Sequence, residues 1–185
     1  MIGPLRHAPF TSPFRKRINR GPSPLLALAM PWLTVMLGSL SPLLPMLASA
    51  PVMPPLGFLV LLAWRQLRPG LIPVWAGLPL GFFDDLFSGQ PLGSATLLWS
   101  LALIAFDAIE ARFPWRNVII NWLEAAALVA SYLTLSLLTA NAAGGDTHIV
   151  AIVPQIAISV LIVPLVGRFV AACDRARLLP IRILG

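Results

Sequence analysis

The stretch GFFDDLFSGQPLG, Gly81 to Gly93, closes a long apolar run with two adjacent carboxylates and then turns. Asp84 and Asp85 are followed by Gly89, Pro91 and Gly93, the residue types that reverse a chain. What surrounds this stretch decides how the acids are read. The chain of 185 residues is 58% hydrophobic and 11% charged, with a mean hydropathy of +0.86. Soluble domains are about 45–50% apolar and about 25% charged. A small globule still exposes much of its surface, so this excess does not fit inside one core. The solvent for most of the chain is lipid.

A bilayer core takes about 20 apolar helical residues to cross. Six stretches meet or approach that length: 24–44, 47–64, 70–87, 92–111, 118–140 and 149–170. The expected fold is an all-α integral membrane protein with six transmembrane helices. The second is short: Pro51, Pro54 and Pro55 leave regular helix only from Pro55 onward. A re-entrant hairpin at that position keeps the same charge pattern and stays open as an alternative. Ala48–Ala50 (ASA) resembles a signal-peptidase site, but the apolar stretch before it is long and proline-rich, and an uncleaved anchor is expected. The remaining divisions are a basic, proline-rich tail (1–22), the membrane domain (23–171) and a second basic tail (172–185).

The net charge of +6 is distributed in short clusters between apolar runs. All 13 Lys and Arg fall on one side of the six-span map; the loops near Ala48, Ser88 and Asn141 have none. By the positive-inside rule both termini are cytoplasmic. Trp64, Trp115 and Trp122 lie near the basic ends, where indoles favour the interface. There is no long basic stripe with interleaved aromatics, so nucleic acid is not an expected partner. Cys173 is the single cysteine, which excludes an internal disulfide. With two histidines and no hydrolase, zinc-protease or phosphate-loop motif, neither metal, cofactor nor catalysis is expected.

On a helical wheel Pro73, Gly77, Gly81 and Asp85 share one face, with Asp84 beside it. Gly77 and Gly81 form a small-xxx-small pair, a packing device that specifies no chemistry. No Lys or Arg stands on the outer side to pair with the acids. The nearest donors are the unpaired N–H groups that open the fourth helix, so at least one carboxylate is expected to fold back onto them. Adjacent helical residues diverge by about 100°, which argues against an aspartyl dyad. Further polar stripes run along the fourth span (Gly93, Thr96, Ser100, Asp107, Glu110), the fifth (Asn117, Asn121, Glu124, Ser131) and the sixth (Gln155, Ser159). Such stripes face one another, water or a partner rather than lipid. Asp107 and Glu110 lie near the basic end, where pairing with Arg65, Arg112 or Arg116 is the plain reading. Glu124 is deeper and, with Asn121, is the better candidate for a partner face.

The segment Gly77–Leu103, GLPLGFFDDLFSGQPLGSATLLWSLAL, resembles the signature of the MreD family, the rod shape-determining membrane proteins of bacteria. The matching features are Gly81, Asp85 followed by Leu86, Gly89, and Gly93 followed by Ser94 and Ala95. Size, six spans and a short proline-bearing second span also fit; the proline-rich first span and long basic tail depart from the pattern. The resemblance implies a non-enzymatic component of the elongation machinery (elongasome) in the bacterial inner membrane. It implies binding to an MreC-type bitopic protein and to a RodA-type glycosyltransferase with its transpeptidase, and coupling to MreB filaments. It also implies a fold similar to the substrate-binding subunits of energy-coupling-factor transporters. Membrane lipids are expected contacts, and self-association stays open. The competing reading is a small-molecule-binding subunit of a transporter. A closed outward pocket would mark that subunit, whereas a groove open to lipid would mark a scaffold.

Overall fold

The computed structural model describes residues 20–21, 24–43, 53–112, 117–178 and 182–183. It contains six α-helices: α1 (Pro24–Ser39), α2 (Leu56–Leu67), α3 (Gly77–Asp85), α4 (Ser94–Arg112), α5 (Val118–Ala142) and α6 (Val153–Arg177). The other regular elements are short 3-10 turns and a two-residue antiparallel ladder, Arg20–Gly21 with Arg182–Ile183. That ladder brings the segment before α1 to the segment after α6. Among the described residues, four helical stretches are long and apolar enough to cross a membrane: Leu25–Leu43, Ser94–Arg112, Val118–Ala142 and Ile149–Arg177.

The third expected span is shorter than its apolar run. Only Gly77–Asp85 is α-helix, preceded by a 3-10 turn at Val74–Ala76. Nine residues rise about 14 Å, less than half of the roughly 30 Å hydrocarbon core. Pro73 and Pro79 account for this. Neither supplies an N–H, so a helix can hold Pro79 only in its first turn. Likewise α2 begins at Leu56, directly after Pro55. Helix α2 is enclosed by protein, with Phe58–Leu62, Trp64 and Arg65 all buried, whereas α3 buries its glycine face and exposes Leu78 and Phe82. Irregular backbone at membrane depth is tolerated where protein surrounds it. Helix α6 runs on to Arg177, past the expected boundary at 171. The Ala48–Ala50 site, most of the basic leading tail, Trp115 and Arg116 lie outside the described residues.

Contacts between helix ends fix the alternation. At one end the last turns of α2, α4 and α6 meet the first turns of α1 and α5. Arg65 pairs with Asp107, and Arg68 pairs with Asp174 at 3.0 Å. The Gln66 amide donates to the Asn121 carbonyl at 2.7 Å. At the opposite end the Gln155 amide of α6 donates to Met53, just before α2, at 2.7 Å. The core between these ends is apolar: Phe58 and Trp99 are buried, and the Phe58 ring stacks on Tyr132 with centroids 4.4 Å apart. Trp64 belongs to this core rather than to the interface. It is fully buried, and its indole donates to the Thr34 hydroxyl at 2.9 Å.

Two prolines inside long helices each leave a carbonyl four residues earlier without its helical donor. Pro31 orphans Ala27, and the Arg177 guanidinium donates to that carbonyl at 2.9 Å. Pro164 orphans Val160, and the Trp122 indole donates to that carbonyl at 3.1 Å. A missing bond within one helix thus becomes a bond between two. Trp122→Phe is expected to lower stability by about 1 kcal/mol. In a Pro164→Ala background, where the helix supplies its own donor, most of that cost disappears. A double-mutant cycle on thermal unfolding in detergent reads the coupling.

Candidate functional site

The GFFDDLFSGQPLG segment forms the α3–turn–α4 joint. Gly89 and Gly93 sit at φ +69° and +93°, which side-chain-bearing residues rarely adopt. The turn they make returns the chain so that α4 starts beside the last turn of α3. There the Asp85 carboxylate, 3% exposed, accepts five hydrogen bonds. Three come from backbone N–H groups, Gly93 at 3.0 Å, Ala95 at 2.8 Å and Thr96 at 3.0 Å. Two come from hydroxyls, Ser94 at 3.3 Å and Thr96 at 2.7 Å. The Ser94 N–H is taken by Pro91. The opening donors of α4 are therefore satisfied by a negative charge at the positive end of the helix dipole. Asp85 belongs to α3, so this cap also bolts two helices together.

The glycine face of α3 meets α4 closely enough to exclude any side chain. A Cβ on Gly81 would lie 2.7 Å from the Ala95 carbonyl oxygen and the Thr96 Cα. One on Gly77 would lie 2.8 Å from the Ser100 Cα. Gly38 and Gly57 make a second such crossing, between α1 and α2, that sequence reading missed. Its signal was a glycine in each helix, but they stand far apart in sequence.

Asp84, beside Asp85, points elsewhere. It is 8% exposed and lines a hollow of about 180 Å³ with Ser41, Ser88, Gln90, Tyr132 and Gln155. The two acids thus share no substrate position.

The remaining polar residues sort by helix. On α4, Thr96 joins the Asp85 cap, Ser100 faces Gly77, and Asp107 pairs with Arg65. Glu110 is half-buried and forms no ion pair among the described residues. On α5, Asn117 caps its own helix, accepting from the Ile120 N–H at 2.8 Å. Glu124 is 8% exposed and engages the protein itself. Ser131 departs from the expected stripe: it is exposed. The inward position is Ser136, buried at 6% exposure.

Asp174 was not singled out from the sequence, yet it organises the basic end. It takes Arg68, just after α2, at 3.0 Å and Arg177 of its own helix at 2.7 Å. Arg177 lies over the Trp64 ring at 5.5 Å, and Arg65 over Phe106 at 5.4 Å. The Asp174–Arg177 spacing of three was the available signal. The contacts beyond α6, Asp174 with Arg68 just after α2 and Arg177 with the Ala27 carbonyl of α1, were not.

A hollow of about 460 Å³ lies between α2, α5 and α6 toward the basic end. Ala63, Ala125, Gly167 and Ala171 are among its lining residues, with Gln66, Asn121 and Arg168 supplying polar groups. Gly167 and Ala171 are four apart on α6, and a Cβ on Gly167 would meet nothing within 4 Å. Its rim includes exposed Val118, Leu67 and Trp122, so the hollow is a groove open to the membrane. Asn121, expected on a partner face, lines it; Glu124 is not among its lining residues.

A family model described as rod shape-determining protein MreD matches residues 24–171. No curated protein and no solved structure matches the chain. The match takes in α1 to α5 and α6 as far as Ala171, including the capped α3–α4 joint and the open groove, and the chain belongs to the MreD family of rod shape-determining membrane proteins.

Proposed function

We propose that the chain is a non-enzymatic scaffold of the elongation machinery in the bacterial inner membrane. It crosses six times with both termini cytoplasmic and binds the single transmembrane helix of an MreC-type partner. Through that partner it helps couple MreB filaments to the RodA-type glycosyltransferase and its transpeptidase. The observation that carries the reading is the groove between α2, α5 and α6. Lipid tails are as apolar as leucine, so helix association in membranes relies on close packing at small residues. Gly167, Ala171 and Ala63 offer that surface, open to a helix about 10 Å wide. The hollow at the other end, about 180 Å³, is below the roughly 300–1,000 Å³ of small-molecule pockets, and the hollow of about 460 Å³ is open at the surface rather than closed over a ligand, which weighs against a transporter subunit. The meeting of the segments before α1 and after α6 and the confinement of all 13 Lys and Arg to one side support the topology.

Gly167→Trp tests the reading, because a Cβ at this position meets nothing within 4 Å and the indole grows from there into the groove. The variant is expected to insert and to unfold within a few degrees of wild type. It is also expected to lose co-purification with the MreC-type protein and to leave cells round. Rods and undiminished co-purification with Gly167→Trp would remove the groove from the mechanism.

A further inference from the structure

The hollow beside Asp84 is independent of the groove and of the Asp85 cap. It lies at the end of the molecule away from the arginine cluster, among the last turns of α1 and α3 and the first turns of α2 and α6. Asp84 stands in its wall at 8% exposure. Beside it is the Ser39 hydroxyl, 2% exposed and without a hydrogen bond of standard geometry. The buried Ser88 hydroxyl in the wall also has no partner. Gln155 spends its amide N–H on Met53, and Gln90 accepts from Ser94 at 3.3 Å. Ser41 and Tyr132 add two more hydroxyls to a wall that is otherwise apolar.

A carboxylate at this depth costs several kcal/mol unless a positive charge or several donors meet it. Asp85 solves that problem with five donors; Asp84 has no such set. No ion pair reaches it among the described residues, and the outer loops contain no Lys or Arg. A proton or a cation taken from outside the chain completes the site. We propose that the Asp84 hollow is a binding site for one small positive charge, an alkali cation or the ammonium tip of an amine. One carboxylate supplies the charge balance, and the surrounding hydroxyl and amide oxygens replace the hydration shell. About 180 Å³ admits such a group, whereas tetraethylammonium, with its charge inside a shell of ethyl groups, cannot bring that charge up to the carboxylate.

The test uses the purified full chain in detergent. Thermal unfolding is followed against sodium, potassium and methylammonium chlorides, with tetraethylammonium chloride as the oversized control at equal ionic strength. Wild type is expected to gain stability with at least one small cation and not with tetraethylammonium. Asp84→Asn, isosteric and uncharged, is expected to lose about tenfold or more of that apparent affinity. A preference for methylammonium assigns the site to an amine, such as a lysine tip; a preference for sodium or potassium assigns it to a solution ion. An equal response to tetraethylammonium, or an unchanged response in Asp84→Asn, overturns the proposal. Should Asp84→Asn fail to fold, infrared difference spectra of wild type decide. A protonated carboxylic acid band present in tetraethylammonium should fade on adding the preferred small cation, and a band that ignores every small cation overturns the site.

Discussion

Asp85→Ala is expected to be among the most damaging single substitutions in the chain. It removes the acceptor for three backbone N–H groups and two hydroxyls at one stroke. Bonds to a charged acceptor contribute about 1.5–3 kcal/mol each when taken singly, but five sharing one carboxylate are not additive. A net loss on the order of 3 kcal/mol is expected, above the usual cost of deleting a helix cap because two helices are released together. The donors of Gly93, Ala95 and Thr96 are left at the membrane end with only water to turn to. Asp85→Asn retains one oxygen but turns an NH2 group toward donors, so it should fall between alanine and wild type. Thermal unfolding in detergent reads the order, and complementation in cells lacking the protein should follow it. An alanine variant as stable and as active as wild type would remove the cap from the explanation of the fold.

Gly81→Val is the second. The obstacle is backbone: the added Cβ would stand 2.7 Å from the Ala95 carbonyl oxygen and the Thr96 Cα, neither of which can rotate away. Overpacking a tight contact costs about 1–3 kcal/mol. Here relief requires α3 to move off α4, which also pulls Asp85 from its donors, so the upper end of that range is expected. Gly81→Ala should already destabilise. Gly167→Ala, also within a helix but facing open space, should be neutral or gain up to about 1 kcal/mol from helix propensity. The contrast between two glycines isolates close approach from propensity, and protease resistance of the purified variants measures it.

The α3–α4 joint was legible because its determinants are local. Asp85, Gly89, Gly93 and Thr96 lie within eleven positions, and a turn followed by an apolar helix leaves few places for a carboxylate to go. The pairing of Arg65 with Asp107 was legible because both sit in last turns at the basic end. The Arg177–Ala27 bond was not, because it joins residues 150 positions apart, and Pro31 shows which carbonyl is orphaned without showing what will reach it. Trp122 was read as an interface anchor, and its bond to Val160 was hidden for the same reason. Trp64 was misplaced because a tryptophan near a helix end looks alike whether it meets lipid headgroups or the core. The third span was overextended because hydropathy counts apolar residues and not helical hydrogen bonds, which Pro73 and Pro79 withhold. The groove could not be read at all: Gly167 and Ala171 are an ordinary spacing until α2 and α5 are seen to leave that face uncovered.

The central claim is that the protein maintains shape by holding a partner rather than by delivering a small molecule. Depleting it from its own cells, while following cell width and the site of new wall insertion, tests this most directly. Rods should widen and become spheres as insertion along the side wall fails, in rich medium as in minimal medium. Cells that keep their rod shape and acquire a nutrient requirement would contradict it.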